Sequence, residues 1–106
     1  PDVVLGDRFG ASASTAIVEQ IEAAFASRGL EVARNVPFAG AYIAQHYGRP
    51  SRRQHAVQIE IDRALYMDEV TLKPRADFDE FRTALTDVIA EIAEIGRDTQ
   101  AALAAE

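Results

Sequence analysis

A glutamate within a strand-like stretch is the residue best suited to acid–base chemistry. Residues 55–62 read HAVQIEID and alternate as a β-strand does, with His55, Val57, Ile59 and Ile61 on one face and Ala56, Gln58, Glu60 and Asp62 on the other. Glu60 either faces solvent on an open sheet face or lies in a pocket, where a carboxylate can move protons. The alternation alone favours the solvated face.

Aromatic and basic side chains that could bind a ligand precede this strand. Tyr42 and His46 stand four residues apart on a predicted helix over 41–47, so they share one side of it. They could line a cleft, although an aromatic residue on a short helix more often belongs to the core. Arg49 and its neighbours in the loop 48–54 could bind an anion, but arginines in a loop are more often solvated.

Metal and phosphate motifs are weak in this chain. His46 and His55 are the only histidines, and their spacing matches no compact metal motif, so polar contacts within the fold are the favoured interpretation. The stretch GDRFG, residues 6–10, follows a strand as a phosphate loop would, but it lacks both the full glycine pattern and the lysine. A tight turn that needs glycine is the favoured interpretation.

The elements that must position these residues begin with a β-α-β unit. Val3–Leu5 is predicted to be a buried strand, and Ser14 or Thr15 can cap a helix that ends at Gly29. Its apolar positions recur at helical spacing: Ile17, Ile21, Ala24 and Phe25. Residues 30–38 return as an extended segment, which predicts an α/β fold with at least some parallel pairing.

A terminal helix is predicted over residues 76–106. Asp77 and Glu80 form a pattern typical of a capping box at its start. The apolar stripe that follows steps by three and four: Phe81, Leu85, Val88, Ile92 and Ile95. This stripe is of the kind that packs on a sheet.

Composition restricts the class of protein. The 106 residues suit one modest domain, and eleven Lys and Arg against seventeen Asp and Glu give a net charge of −6, which argues against non-specific nucleic-acid binding. No apolar run approaches the roughly 20 residues of a membrane span, so no membrane association is expected. The absence of cysteine favours the reducing cytoplasm. The opening PDVVLGD lacks an initiator Met, which suggests a piece of a longer protein.

Three segments carry a resemblance to a known family. PDVVLGDRFG, ARNVPFAGAYIAQHYG and RPSRRQHAVQIEIDRALYMDE are collinear from Pro1 to about Glu69. Together they resemble the C-terminal part of the N-formylglutamate amidohydrolases, also called N-formylglutamate deformylases. The terminal helix resembles that of the family only in its general character, not in a specific motif.

The resemblance implies a fold and a reaction. The family is similar to the zinc carboxypeptidases, with a three-layer α/β sandwich, a mixed central sheet and one zinc at the carboxyl ends of its strands. Here residues 1–106 would be the C-terminal part of that single phosphorylase/hydrolase-like domain. The implied reaction, in histidine degradation, hydrolyses N-formyl-L-glutamate to formate and L-glutamate.

The resemblance also assigns roles to particular residues. Glu60 falls where the family's general base belongs, and it should lie near the end of a central strand with its carboxylate in a concavity. Arg63 and Arg49 are the preferred partners of the substrate carboxylates, and Tyr42, with His46 beside it, or Tyr47 could close over the substrate. The zinc ligands should lie outside this chain, in the N-terminal remainder, so the fragment alone should be inactive.

Two other interpretations stay open. A related zinc enzyme could act on another N-acyl amino acid or resemble a carboxypeptidase more closely. Alternatively, the chain could be a non-catalytic interaction module whose apolar helix stripe docks a partner.

Overall fold

A three-stranded mixed sheet forms the centre of the first part of the chain. The computed structural model describes the backbone of residues 1–105 and the side chains of residues 1–97. Strand β1 (Val3–Gly6) pairs in parallel with β2 (Val32–Arg34) and antiparallel with β3 (Gln58–Ile61), so the strand order is β2-β1-β3. All of β1 is buried. The predicted α/β class with a mixed sheet is confirmed.

Helix α1 (Thr15–Ala26) covers one face of this sheet. Ser14 is its N-cap and accepts a hydrogen bond at Oγ from the Ile17 N–H. Arg34, which pairs with Leu5 across the sheet, reaches Glu22 of α1 at 2.7 Å between Nη2 and Oε2. Because paired residues share a face, α1 lies on the Leu5 side. Its buried residues are Val18, Ile21, Ala24 and Phe25; of the predicted stripe, Ile17 is only half-buried.

The opposite face of the sheet carries the polar residues of β3. Glu60 pairs with Val4, and Gln58 pairs with Gly6. Val4 and Gly6 alternate with Val3 and Leu5, so their partners point away from α1. We call this surface, formed by Val4, Gly6, Gln58 and Glu60, the polar face. The helix α2 (Tyr42–Tyr47) follows the loop 37–41, which crosses the sheet at Gly6.

The third strand is shorter than the sequence predicts. It spans four residues, whereas the alternation runs over 55–62. His55 accepts at Nδ1 from the Ser14 N–H at 3.0 Å, and the Ala56 N–H donates to the Ser12 carbonyl at 2.8 Å. Residues 55 and 56 therefore bind the loop before α1 instead of extending the ladder.

The chain divides into two compact units, Pro1–Asp62 and Arg63–Glu106. The second unit contains a two-stranded antiparallel sheet of β4 (Met67–Asp68) and β5 (Lys73–Pro74). Its long helix α3 runs over Phe78–Ala105, so it begins two residues later than predicted, and Glu106 lies outside the described residues.

The apolar stripe of α3 is less exposed than most of the helix. Val88 is buried, and the other stripe residues are half-buried. Tyr66 stacks on Phe81 with ring centroids 5.9 Å apart. The Asp77 carboxylate pairs with Arg75, a contact that the capping-box pattern did not predict. Although α3 is 28 residues long, no helix in the described part of the chain is apolar enough over a sufficient length to cross a membrane.

Candidate active site

Glu60 lines a concavity on the polar face of the sheet. Its side chain is half-buried, and the concavity has a volume of about 270 Å³. Val4 also lines this concavity, as do Pro37 and Phe38 of the loop 37–41. The Glu60 side chain thus faces this concavity and is still partly accessible to solvent. The expected central strand differs from the structure, because β1 is in the middle of the three strands and β3 is at one side.

Gln58 connects Glu60 to the loop 37–41. The Gln58 Nε2 donates to Glu60 Oε1 at 2.8 Å, and the Ala41 N–H donates to Gln58 Oε1 at 2.9 Å. Sequence reasoning did not single out Gln58 as a functional residue. The available signal was its position two residues before Glu60, which puts both side chains on one face of a strand.

The loop 37–41 reaches the sheet because Gly6 has no side chain. A Cβ at Gly6 would lie 2.7 Å from the Ala39 carbonyl carbon and 2.8 Å from the Gly40 nitrogen, both backbone atoms. Gly40 itself has φ +116°, which favours glycine. This close approach places the Ala41 N–H within reach of Gln58.

Left-handed backbone conformations cluster where β1 and β2 end. Arg8, Phe9 and Asn35 all have positive φ, as does Gly10 at +91°. The Asn35 Oδ1 accepts from the N–H groups of both Asp7 and Phe9, at 3.1 and 3.2 Å, so this side chain holds the loop. The turn interpretation of GDRFG is thus supported. Strained residues are found at functional sites, and the carboxyl ends of strands in α/β sheets are where ligands bind.

Tyr42, His46 and Tyr47 form an exposed aromatic cluster on α2. The rings of Tyr42 and His46 stack at 5.0 Å between centroids, and the rings of His46 and Tyr47 meet edge to face at 4.7 Å. Tyr42 is 65% exposed. The interpretation of Tyr42 as a core residue is therefore wrong. The cluster can offer flat apolar surface and polar edges to a ligand.

The two candidate arginines already have contacts within the chain. Arg49 donates from Nη1 to the carbonyls of Gln45 and Gly48, at 2.9 and 2.6 Å, at the end of α2. Arg63 lies in the second unit and donates from Nε to Glu69 Oε2 at 3.2 Å, with both side chains largely exposed. Exposed ion pairs of this kind are weak, so a stronger partner can displace them.

The described residues do not fit a zinc site by themselves. Among them, no group of three or more His, Asp or Glu side chains could hold a metal ion. His55 is engaged through Nδ1 with the Ser14 N–H, and His46 lies between two tyrosine rings. On the other face of the sheet, the side-chain hydrogen bond to Glu22 raises the pKa of Arg34 above its ordinary value.

Three comparisons place this arrangement among known proteins. A family model described as N-formylglutamate amidohydrolase matches residues 1–67. The N-formylglutamate deformylase of Pseudomonas aeruginosa is 36% identical over 104 residues, which are 95% of this chain and 39% of that protein. The N-formylglutamate deformylase of Pseudomonas putida is 37% identical over 70 residues, which are 65% of this chain and 26% of that protein.

A solved structure agrees with these sequence matches. The crystal structure of N-formylglutamate amidohydrolase from Ralstonia eutropha JMP134 is similar with a TM-score of 0.86 and 38% sequence identity, over 92% of this chain and 35% of that chain. This chain thus spans less than two fifths of the Ralstonia chain and of the longer-matching Pseudomonas relative. It belongs to the N-formylglutamate amidohydrolase family.

Proposed function

We propose that the protein containing this chain hydrolyses N-formyl-L-glutamate to formate and L-glutamate, and that Glu60 is its general base. The observation that carries the proposal is the position of Glu60, which is half-buried in a concavity and hydrogen-bonded through one carboxylate oxygen. The names of the relatives from Pseudomonas and Ralstonia support the substrate.

The proposed chemistry uses the carboxylate twice. Glu60 takes a proton from the water whose oxygen attacks the formyl carbon, which leaves a tetrahedral intermediate. The protonated carboxyl then gives this proton to the amide nitrogen as the carbon–nitrogen bond breaks. Formate and the free amine of glutamate leave, and Glu60 returns to its ionised state.

Substrate binding is assigned to cationic and aromatic groups. N-formyl-L-glutamate carries two carboxylates, for which arginine offers a two-pronged contact. We assign this role to Arg63 and Arg49, and contact with the rest of the substrate to Tyr42 and His46. The exposure of Tyr42 and of the Arg63 side chain supports the assignment, since both can be reached from solvent.

The rest of the family domain would complete the site. We propose that it holds the zinc, which the described residues of this chain do not fit, and that it covers exposed apolar side chains of the first unit. Those residues include Phe9 and Ile43. The relatives are much longer than this chain, which supports the proposal that these exposed side chains form an interface with the rest of the domain. A cytoplasmic location and a place in histidine degradation belong to the same proposal.

Formate release from the full-length protein tests this function. Purified protein is incubated with N-formyl-L-glutamate or with N-acetyl-L-glutamate, and formate or acetate is measured together with free glutamate. We expect formate and glutamate in equal amounts and much slower release of acetate. Comparable turnover of both substrates would favour the broader N-acyl-amino-acid amidohydrolase, and no turnover of either would contradict the proposal.

A further inference from the structure

The amide of Gln58 is held in one orientation. The Ala41 backbone N–H can only donate, so the atom that faces it at 2.9 Å must be the amide oxygen. The other end of the amide is then the nitrogen, which lies 2.8 Å from Glu60 Oε1. A carboxylate can only accept in its ionised state, so both contacts agree with a single orientation of the side chain.

This arrangement constrains how Glu60 presents its charge. The Gln58 contact occupies Oε1 and leaves Oε2 as the oxygen that can take a proton from water. The contact therefore fixes the direction in which the free oxygen of Glu60 points. Gln58 is itself fixed at its oxygen end by the loop 37–41, which packs against Gly6.

We propose that Gln58 is a positioning residue of the hydrolysis, one that orients the Glu60 carboxylate. This role rests on the proposed function of Glu60. In this proposal Glu60 moves the proton, and Gln58 links the Glu60 carboxylate to the backbone of the loop 37–41.

Two substitutions separate positioning from simple support of the loop. Gln58→Glu keeps an oxygen that can accept from the Ala41 N–H, but it replaces the donor to Glu60 by a second carboxylate. Gln58→Met keeps the length of the side chain and removes both hydrogen bonds. If Gln58 only supported the loop, the Glu variant would resemble the wild type and the Met variant would be worse. If Gln58 positions Glu60, the Glu variant is the worse of the two.

The experiment measures kcat/KM for N-formyl-L-glutamate against pH in the full-length protein. For Gln58→Glu we expect the low-pH limb to move upward by about 1–3 pH units, since two adjacent carboxylates resist a second negative charge. For Gln58→Met we expect a loss of about 10-fold in kcat at the optimum, because the hydrogen bond that orients the Glu60 carboxylate is removed. KM should change little in both variants.

Gln20→Met is the matched control, because Gln20 is exposed on α1, which lies on the other face of the sheet. It should leave the profile unchanged. A Gln58→Glu variant with a wild-type profile would overturn the positioning role while Glu60 could still be the base. If Glu60→Gln also retained full activity, the proposed function of Glu60 would fail instead, so the two failures are distinguishable.

Discussion

The two faces of the β2-β1-β3 sheet are stabilised in different ways. On the α1 face, Leu5 and Val3 are fully buried against the helix, and Phe25 is 1% exposed. On the polar face, Gln58 and Glu60 are half-buried and are linked to the loop 37–41 by two hydrogen bonds. One face is held by apolar packing, whereas the other is held by directed polar contacts around an open concavity.

This difference separates stability from chemistry. Burial of apolar surface is non-directional, so a packed face tolerates small shifts of its side chains. A proton-transferring carboxylate needs a defined direction and a defined charge, which hydrogen bonds supply. We therefore expect substitutions on the α1 face to change the free energy of unfolding, and substitutions on the polar face to change the rate.

Phe25→Ala should give the largest loss of stability. Removing a fully buried aromatic side chain leaves a cavity, and the free energy of unfolding of the full-length protein should fall by about 3–5 kcal/mol. Denaturant titration measures this change. Val70→Ala is the control, because Val70, in the second unit, is 93% exposed and its truncation should change stability by less than about 0.5 kcal/mol. Equal losses in both variants would contradict the assignment of the core.

Gly6→Ala adds only one methyl group, but it should strongly disturb the polar face. The added Cβ would lie 2.7–2.8 Å from backbone atoms of the loop 37–41, which must move and carry the Ala41 N–H away from Gln58. We expect kcat/KM to fall by about 100-fold.

Gly96→Ala is the matched control for that substitution. A Cβ there has open space within 4 Å, and Gly96 lies inside α3. It should stabilise the helix by about 0.5–1 kcal/mol and leave the rate unchanged. An active Gly6→Ala protein would show that the loop position does not matter for the chemistry.

Arg63→Lys separates substrate binding from proton transfer. An ammonium cannot reproduce the two-pronged contact with a carboxylate, so KM for N-formyl-L-glutamate should rise by about 10-fold with a smaller fall in kcat. Arg82→Lys is the control, because Arg82 also forms an exposed pair, at 3.1 Å from Asp79. Steady-state kinetics of both variants measure these changes in KM and kcat. An unchanged KM in Arg63→Lys would remove Arg63 from the binding site.

Arg34→Gln on the α1 face should have the smallest effect. The Arg34 and Glu22 side chains are each about one third exposed, so the ion pair is partly screened by solvent. We expect a loss of about 0–1 kcal/mol in the free energy of unfolding and no change in kcat. A large fall in rate would show that the two faces are more strongly coupled than the packing suggests.

The sequence predicted the α1 face better than the polar face. The helical spacing of Ile21, Ala24 and Phe25 identified the buried side of α1, and Ser14 was one of two predicted caps. These features are local, because a helix places residues three and four apart on one side. Glu60 became the candidate base through the family resemblance, since strand alternation alone favours a solvated face for it, and that role stays a prediction.

The polar face could not be derived because its contacts join distant residues. The Gln58 contact with Ala41 spans seventeen positions, and Asn35 reaches back to Asp7 across twenty-eight. The positive φ angles of Arg8 and Phe9 leave little trace in the sequence, because these residue types seldom adopt them, whereas Asn35 is of a type that adopts them more often. The length of β3 was also overestimated, since alternation does not reveal that His55 binds the Ser14 N–H.

The most direct test of the account is the rate of hydrolysis by Glu60→Gln in the full-length protein. Glutamine retains the shape of the side chain and its oxygen can still accept from Gln58, but it cannot take a proton. We predict a fall in kcat of about 10²- to 10⁴-fold with an unchanged KM for N-formyl-L-glutamate. A correctly folded Glu60→Gln protein with near wild-type kcat would contradict the assignment of Glu60 as the general base.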